Sequence, residues 1–294
     1  MHILYTEIDA ELADALEAYF AEEEIVTWGI ETAPNAPLIL KGFYESREEA
    51  EADAAALARV FPAIPTPFAY QEMEDREWQD AYKAFLKPWS TGHLHWVPAW
   101  ERETYPLPEG HVAIYLDAGM AFGTGSHETT RLMARRMMDF LQARGNETFA
   151  EAQIVDAGCG SGILALSAVK LGAKHVFGFD QDGEAIRVSW ENAEINGISR
   201  DEIDFATTGI EGGLAGRKID FMMANIQADI LKIHAEGLFS AMAPGGKLAL
   251  SGILARELEE VKASFRFAAK QIGVNATEDS RTDGEWSDLC YSLV

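Results

Sequence analysis

The stretch Val155-Asp156-Ala157-Gly158-Cys159-Gly160-Ser161-Gly162-Ile163-Leu164 limits the folds open to this chain more than any other. Ile154 and Val155 supply the apolar run of a buried strand that ends at Asp156. Three glycines follow at alternate positions, and Leu164, Leu166, Ala168 and Leu171 then carry a helical period. A strand that turns into a helix through glycines is how an α/β sheet brings backbone N–H groups and a helix N-terminus up to a ligand. Each glycine serves such a turn by accepting φ > 0, or by admitting a ligand where a Cβ would block it.

The next strand, His175 to Phe179, leads to Asp180, roughly 20 residues beyond the glycines. A carboxylate there can hydrogen-bond both hydroxyls of an adenosine ribose. The loop reads Gly158-x-Gly160-x-Gly162, whereas the dinucleotide fingerprint is G-x-G-x-x-G. With an acidic residue at the preceding strand end, it resembles the first loop of class I S-adenosylmethionine-dependent methyltransferases. Glycines and Asp180 alone leave both NAD and S-adenosylmethionine open. Downstream the pattern alternates as a parallel sheet requires. A helix is expected over Ala185–Ile195, then a strand near Ile203–Thr207 and another from Ile219 ending at Asn225. A helix through Ile230, Ile233 and Leu238 and a strand over Lys247–Leu250 follow, and Ser251-Gly252-Ile253-Leu254 reads as the opening of a further helix. Final strands, one antiparallel, are expected around Trp286 and Leu289. The fold class is α/β, a doubly wound Rossmann-like sheet.

Ahead of it lies a smaller module. Ile3 to Tyr5, Ile25 to Ile30, Leu38 to Phe43 and Phe68 to Gln71 read as strands. Ile8, Leu12, Ala15, Leu16 and Tyr19 share a helical face, and Ser46 with Glu49 forms a capping box for a helix carrying Ala50, Ala54, Leu57 and Val60. The order β-α-β-β-α-β is that of a ferredoxin-like α+β domain. Trp78, Tyr82, Phe85 and Leu86 mark a connector helix. The expected division is residues 1–72, a linker helix over 73–90, and a catalytic domain over 91–294. The loop Asp117–Thr130, with Gly119, Gly123 and Gly125 before a helix, is costly in chain entropy and so is expected to hold something; no Gly-Lys-Ser/Thr follows, which excludes a Walker loop.

Charge narrows the partners. Lys and Arg number 24 against 48 Asp and Glu, a net charge of −24, so the surface repels phosphates and attracts basic partners. No basic patch stands out, and direct nucleic-acid binding is not expected. No apolar run approaches a bilayer span and the start lacks signal-peptide regions; with only Cys159 and Cys290 a disulfide framework is excluded, which together suggest a cytoplasmic protein without a membrane partner.

Several stretches together resemble one family, the bacterial ribosomal protein L-eleven methyltransferases (PrmA). They are Ala121-Phe-Gly-Thr-Gly-Ser-His-Glu-Thr-Thr130, the glycine loop, Phe179-Asp180, Ala224-Asn225-Ile226, Ser251-Gly-Ile-Leu254 and Gly284-Glu285-Trp286, with the connector and Val97–Glu101. The resemblance implies methyl transfer from S-adenosylmethionine to amino groups, the N-terminal amine and lysines, of a basic ribosomal protein recognised by the N-terminal domain. It implies cofactor contacts at Thr130, Gly158, Gly160, Asp180 and Asn225, and no metal. Asn225 is also the candidate for orienting the amine, since its side-chain carbonyl lies at a strand end; the N-P-P-Y sequence common in amino-methyltransferases is here Asn225-Ile226-Gln227. Thr130 could instead start its helix, Asn225 cap one, and His127 serve as a base or as a structural residue. Ala118 and Glu128 stand where the family usually has proline. Competing readings are a nicotinamide-dependent oxidoreductase, a methyltransferase of another protein or small amine, and a binding protein that keeps the pocket without catalysis.

Overall fold

The computed structural model describes residues 2–22, 27–31, 37–44, 46–72, 87–116 and 127–294. The chain forms two compact units, Met1–Phe85 and Leu86–Val294. Residues 73–86 of the connector, the loop over 117–126 and the start of the strand expected from Ile25 lie outside the described residues.

The first unit runs β1 (His2–Ile8), α1 (Ala10–Glu22), β2 (Trp28–Glu31), β3 (Leu38–Tyr44), α2 (Arg47–Val60) and β4 (Ala69–Glu72). Its strands pair antiparallel in the order β2-β3-β1-β4, the ferredoxin-like arrangement. Ile8 is the last residue of β1, opposite Leu38, rather than part of the helical face assigned to it by spacing. The helix starts after Asp9, whose side chain accepts from the Leu12 N–H at 2.8 Å and so stops the strand. Ser46 does cap α2, accepting from the Glu49 N–H at 3.2 Å. Leu4, Leu16, Phe20, Leu40, Ala50 and Leu57 close one core between sheet and helices. Asp53 pins its rim, accepting from Trp28 Nε1 at 2.9 Å and Tyr44 OH at 2.6 Å.

The second unit opens with three short strands, β5 (Trp89–Thr91), β6 (Leu94–Pro98) and β7 (Val112–Leu116), β6 running parallel to β7. Then follow α3 (Glu128–Arg144), α4 (Asn146–Ala150), β8 (Gln153–Ala157), α5 (Ile163–Lys170), β9 (His175–Asp180), α6 (Gly183–Ile195), β10 (Asp204–Thr207) and α7 (Ile210–Leu214). The chain ends with β11 (Ile219–Asn225), α8 (Ala228–Ile233), α9 (Ala235–Ser240), β12 (Met242–Leu254), α10 (Leu258–Ile272), β13 (Ala276–Asp283) and β14 (Trp286–Leu293). Seven strands form one sheet in the order β10-β9-β8-β11-β12-β14-β13. β8 to β12 run parallel, and β14 is antiparallel to both its neighbours.

Alternation along the strands builds a core on each face. Ile154, Val176, Phe221 and Met223 pack under α3, α5 and α6. Their neighbours Val155, Phe177, Met222 and Ala224 face Leu231, Leu238, Val261 and Phe265 of the helices on the other side. The small β5–β7 sheet is tied on by Trp96, whose Nε1 donates to Ser167 of α5 at 2.8 Å.

Two local readings are corrected. Ser251-Gly252-Ile253-Leu254 does not open a helix: it continues β12, with Ser251 beside Asn225, Ile253 opposite Ser287 and Leu254 opposite Trp286. Tertiary pairing on both edges holds it extended, and the strand also begins earlier than expected, at Met242. It crosses Pro244-Gly245-Gly246 through a bulge, where register with β11 jumps from Met242 to Lys247. The helix expected through Leu238 is two helices, because His234 at φ −99°, ψ 9° interrupts it.

Candidate functional site

Strand order reverses between β8 and β11, and in such sheets ligands bind outside the carboxyl ends of the strands at that switch. The glycine loop leaves β8 there, Asp180 ends the adjacent β9, and Asn225 ends β11 on the other side.

The loop uses its glycines as the sequence suggests. Gly158, Gly160 and Gly162 all have positive φ, at 72°, 52° and 76°, a region that costs an L-residue with a Cβ roughly 1–2 kcal/mol. The turn is held from three directions. The N–H groups of Gly158 and Cys159 both donate to the Phe179 carbonyl, at 2.8 and 3.0 Å. Ser189 of α6 donates to the Gly160 carbonyl at 2.8 Å, and Asn192 donates to the Ser161 carbonyl at 3.0 Å. Gly162 then serves as the left-handed residue before α5, so the positive end of that helix opens at the loop.

Two carboxylates flank it. Asp180 accepts from the Gly160 N–H through one oxygen and from the Asp182 N–H through the other, both at 3.0 Å. Each oxygen keeps a further lone pair, which is what a pair of ribose hydroxyls requires. Asp156 is buried, and one oxygen accepts from the Ala165 N–H at 3.1 Å. Burial pushes its carboxyl up to about 7, against the Ala165 hydrogen bond, with the Asp180 charge adding to the rise. The sequence showed Asp156 only as the acidic strand end; its complete burial depends on α5 folding back over it.

The third wall is formed by α3 and the β11 tip. Thr130, buried in the first turn of α3, accepts from Asn225 Nδ2 at 3.4 Å across 95 residues of sequence. The helix is anchored two turns on by Arg136, which forks onto the fully buried Asp288 of β14 at 2.8 and 2.5 Å. His127 caps the same helix: its Nδ1 accepts from the Thr129 N–H at 3.3 Å and lies 2.8 Å from the Thr129 hydroxyl, and its ring meets Trp286 edge-on. Asn225 does not cap α8; Gln227 takes that position.

Ile226 entered the sequence reading only as a neighbour of Asn225, and its packing role was not legible there. A Cβ on Gly158 would lie 2.3 Å from Ile226 Cγ2, and one on Gly252, at φ 82°, would lie 2.2 Å from the Ile226 carbonyl oxygen. The residue after Asn225 therefore sits between Gly158 of the loop after β8 and Gly252 of β12. The pairing of Gly158 with Gly252 needs the fold and has no local sequence signal.

The chain matches the family model described as ribosomal protein L11 methyltransferase (PrmA) over residues 6–292. It belongs to the PrmA family. A PrmA relative, the ribosomal protein L11 methyltransferase of Pelobacter propionicus, is 34% identical over 97% of this chain and 95% of its own length. That of Trichlorobacter lovleyi is 40% identical over 81% of this chain and 74% of its own. Among solved structures, the ribosomal protein L11 methylase of Lactobacillus delbrueckii subsp. bulgaricus is 32% identical, with a TM-score of 0.58, over 69% of this chain and 96% of that one. PrmA membership favours methyl transfer over the nicotinamide oxidoreductase that the glycine loop and Asp180 would also have served.

Proposed function

We propose that this chain transfers methyl groups from S-adenosylmethionine to amino groups, the N-terminal amine and lysine side chains, of ribosomal protein L11. The observation that carries the reading is the meeting, at one switch point, of the positive-φ glycine loop, the Asp180 carboxylate and the Asn225–Thr130 pair. The donor set fits the cofactor. Gly158 and Gly160 bring backbone close to it, Asp180 takes the ribose hydroxyls, and Thr130 with the N-terminal end of α5 suits the methionine carboxylate.

When bound, S-adenosylmethionine supplies a methyl group made electrophilic by its sulfonium. The remaining work falls to the chain. An ammonium has no lone pair to attack with, so the site must present the amine uncharged, desolvated and in line. Asn225 donates through Nδ2 to Thr130, which leaves Oδ1 to accept from an amine N–H and hold its lone pair toward the methyl. Asn225 in this role touches the substrate and is the catalytic residue of the reading. The N-terminal ferredoxin-like unit serves to recognise the acceptor, and the net charge of −24 suits a basic one. Among the described residues no helix is long and apolar enough to cross a membrane, and the cytoplasm is the compartment proposed.

The test is intact-mass spectrometry of ribosomal protein L11 incubated with the full chain and S-adenosylmethionine. Mass increments of whole methyl groups, lost with Asn225→Ala while S-adenosylhomocysteine still binds, are expected. No increment above a heat-inactivated control would refute the assignment.

A further inference from the structure

We propose that the exposed face of α8 is the docking stripe for the methyl-accepting polypeptide, seating apolar residues of the segment that carries the reactive lysine. This rests on the methyltransferase reading above and deepens it.

The stripe begins at the site itself. Gln227, two residues beyond Asn225, is exposed, and Ile230 and Ile233 follow at the spacing of three that keeps side chains on one helix face. Ile230 is 38% exposed and Ile233 73%, whereas Ala228, Leu231 and Ala235 turn into the core. Ile230 and Ile233 are the only two large exposed hydrophobics that share an element among the described residues. A β-branched residue is a mediocre helix former, so α8 gains nothing in helix propensity from isoleucine at either place. From Gln227 to Ile233 the stripe runs about 9 Å along the helix axis, enough to seat about three residues of an extended chain.

Its border fits a cationic partner. Asp229 on the same helix is 83% exposed at its side chain, and Glu260 of α10, 67% exposed, stands beside it. Lys232 is the only basic residue on α8, and it is taken up between those two carboxylates at 2.8 and 2.6 Å. An apolar stripe with an acidic margin, starting beside the residue that orients the amine, complements a lysine-bearing segment with apolar neighbours. A second copy of this chain would instead bring −24 against −24.

The experiment uses the full chain with Ile230→Ser/Ile233→Ser, Ile233→Lys and Ile233→Met. Kinetics toward ribosomal protein L11, S-adenosylhomocysteine affinity by calorimetry and sedimentation velocity are measured on each. The serine pair should raise KM for the protein at least about tenfold with kcat within about twofold, and leave S-adenosylhomocysteine affinity unchanged. Ile233→Lys should raise KM as well, and Ile233→Met should keep it near the wild-type value. Should the serine pair misfold, the Lys and Met variants decide alone. A wild-type KM in the serine pair or in Ile233→Lys would overturn the docking stripe, as would a dimer of wild type that the serine pair dissolves without change in KM. Failure of the underlying reading is distinct: there the wild-type chain itself would transfer no methyl.

Discussion

Gly158→Ala tests how the site is built. Two costs are readable at that position. At φ 72° an alanine carries the left-handed penalty of roughly 1–2 kcal/mol. Its Cβ would also stand 2.3 Å from Ile226 Cγ2, so Ile226 must move, an overpacking cost of roughly 1–3 kcal/mol. Ile226 is only partly buried, but its carbonyl passes so close to Gly252 that a Cβ there would stand 2.2 Å away, which limits how far its backbone can follow the side chain. The expected loss is roughly 2–5 kcal/mol of unfolding free energy, with weaker S-adenosylhomocysteine binding since the loop is displaced with it. The assay is urea unfolding of wild type, Gly158→Ala, Ile226→Ala and the double variant. Ile226→Ala removes the colliding methyl, so the double variant should recover the steric part and keep the φ part, a coupling of at least about 1 kcal/mol. If Gly158→Ala unfolds within about 0.5 kcal/mol of wild type, or the two changes simply add, the clasp around Ile226 is wrong.

Three further outcomes are expected. Asp180→Ala should weaken S-adenosylhomocysteine binding by about tenfold or more, read by calorimetry, through loss of hydrogen bonds to a charged acceptor; unchanged affinity would remove Asp180 from the site. Asp156 has a folded-state carboxyl raised from 3.8 to about 7, so its contribution favours folding most below 3.8 and is lost as pH climbs toward 7. Asp156→Asn should accordingly gain on wild type by roughly 3 kcal/mol between pH 4 and 7, measured as the difference of two urea-unfolding series; a pH-independent difference would contradict the burial argument. Arg136→Ala takes the guanidinium from buried Asp288, which keeps the Arg281 N–H at 2.9 Å, and should cost roughly 3–5 kcal/mol; a loss below about 1 kcal/mol would show that the fork does not anchor α3.

Much of this fold was legible because its signals are local. The glycine loop, the acidic tip at Asp180 and the Ser46 cap each lie within a few residues, and their spacing alone specifies the turn or helix start they make. The N-terminal topology followed from alternating periods and short turns. What escaped was set by partners far along the chain. Ser251–Leu254 reads locally as a helix start, yet pairing with Asn225 on one side and with Ser287 and Trp286 on the other holds it as strand. Ile8 fits a helical spacing, but its partner is Leu38. Pro244-Gly245-Gly246 looks like a loop and is a bulge inside β12. At the site, the contact of Asn225 with Thr130 and the grip of Gly158 and Gly252 on Ile226 join residues dozens of positions apart. Such contacts leave no pattern for a single sequence to display.

The most direct measurement is a crystal structure of the full chain with S-adenosylhomocysteine. The account predicts the ribose hydroxyls on Asp180, the backbone of Gly158 and Gly160 against the ligand, and its sulfur facing the Asn225 side-chain carbonyl. A ligand bound elsewhere, or with its ribose away from Asp180 and its sulfur away from Asn225, would contradict it.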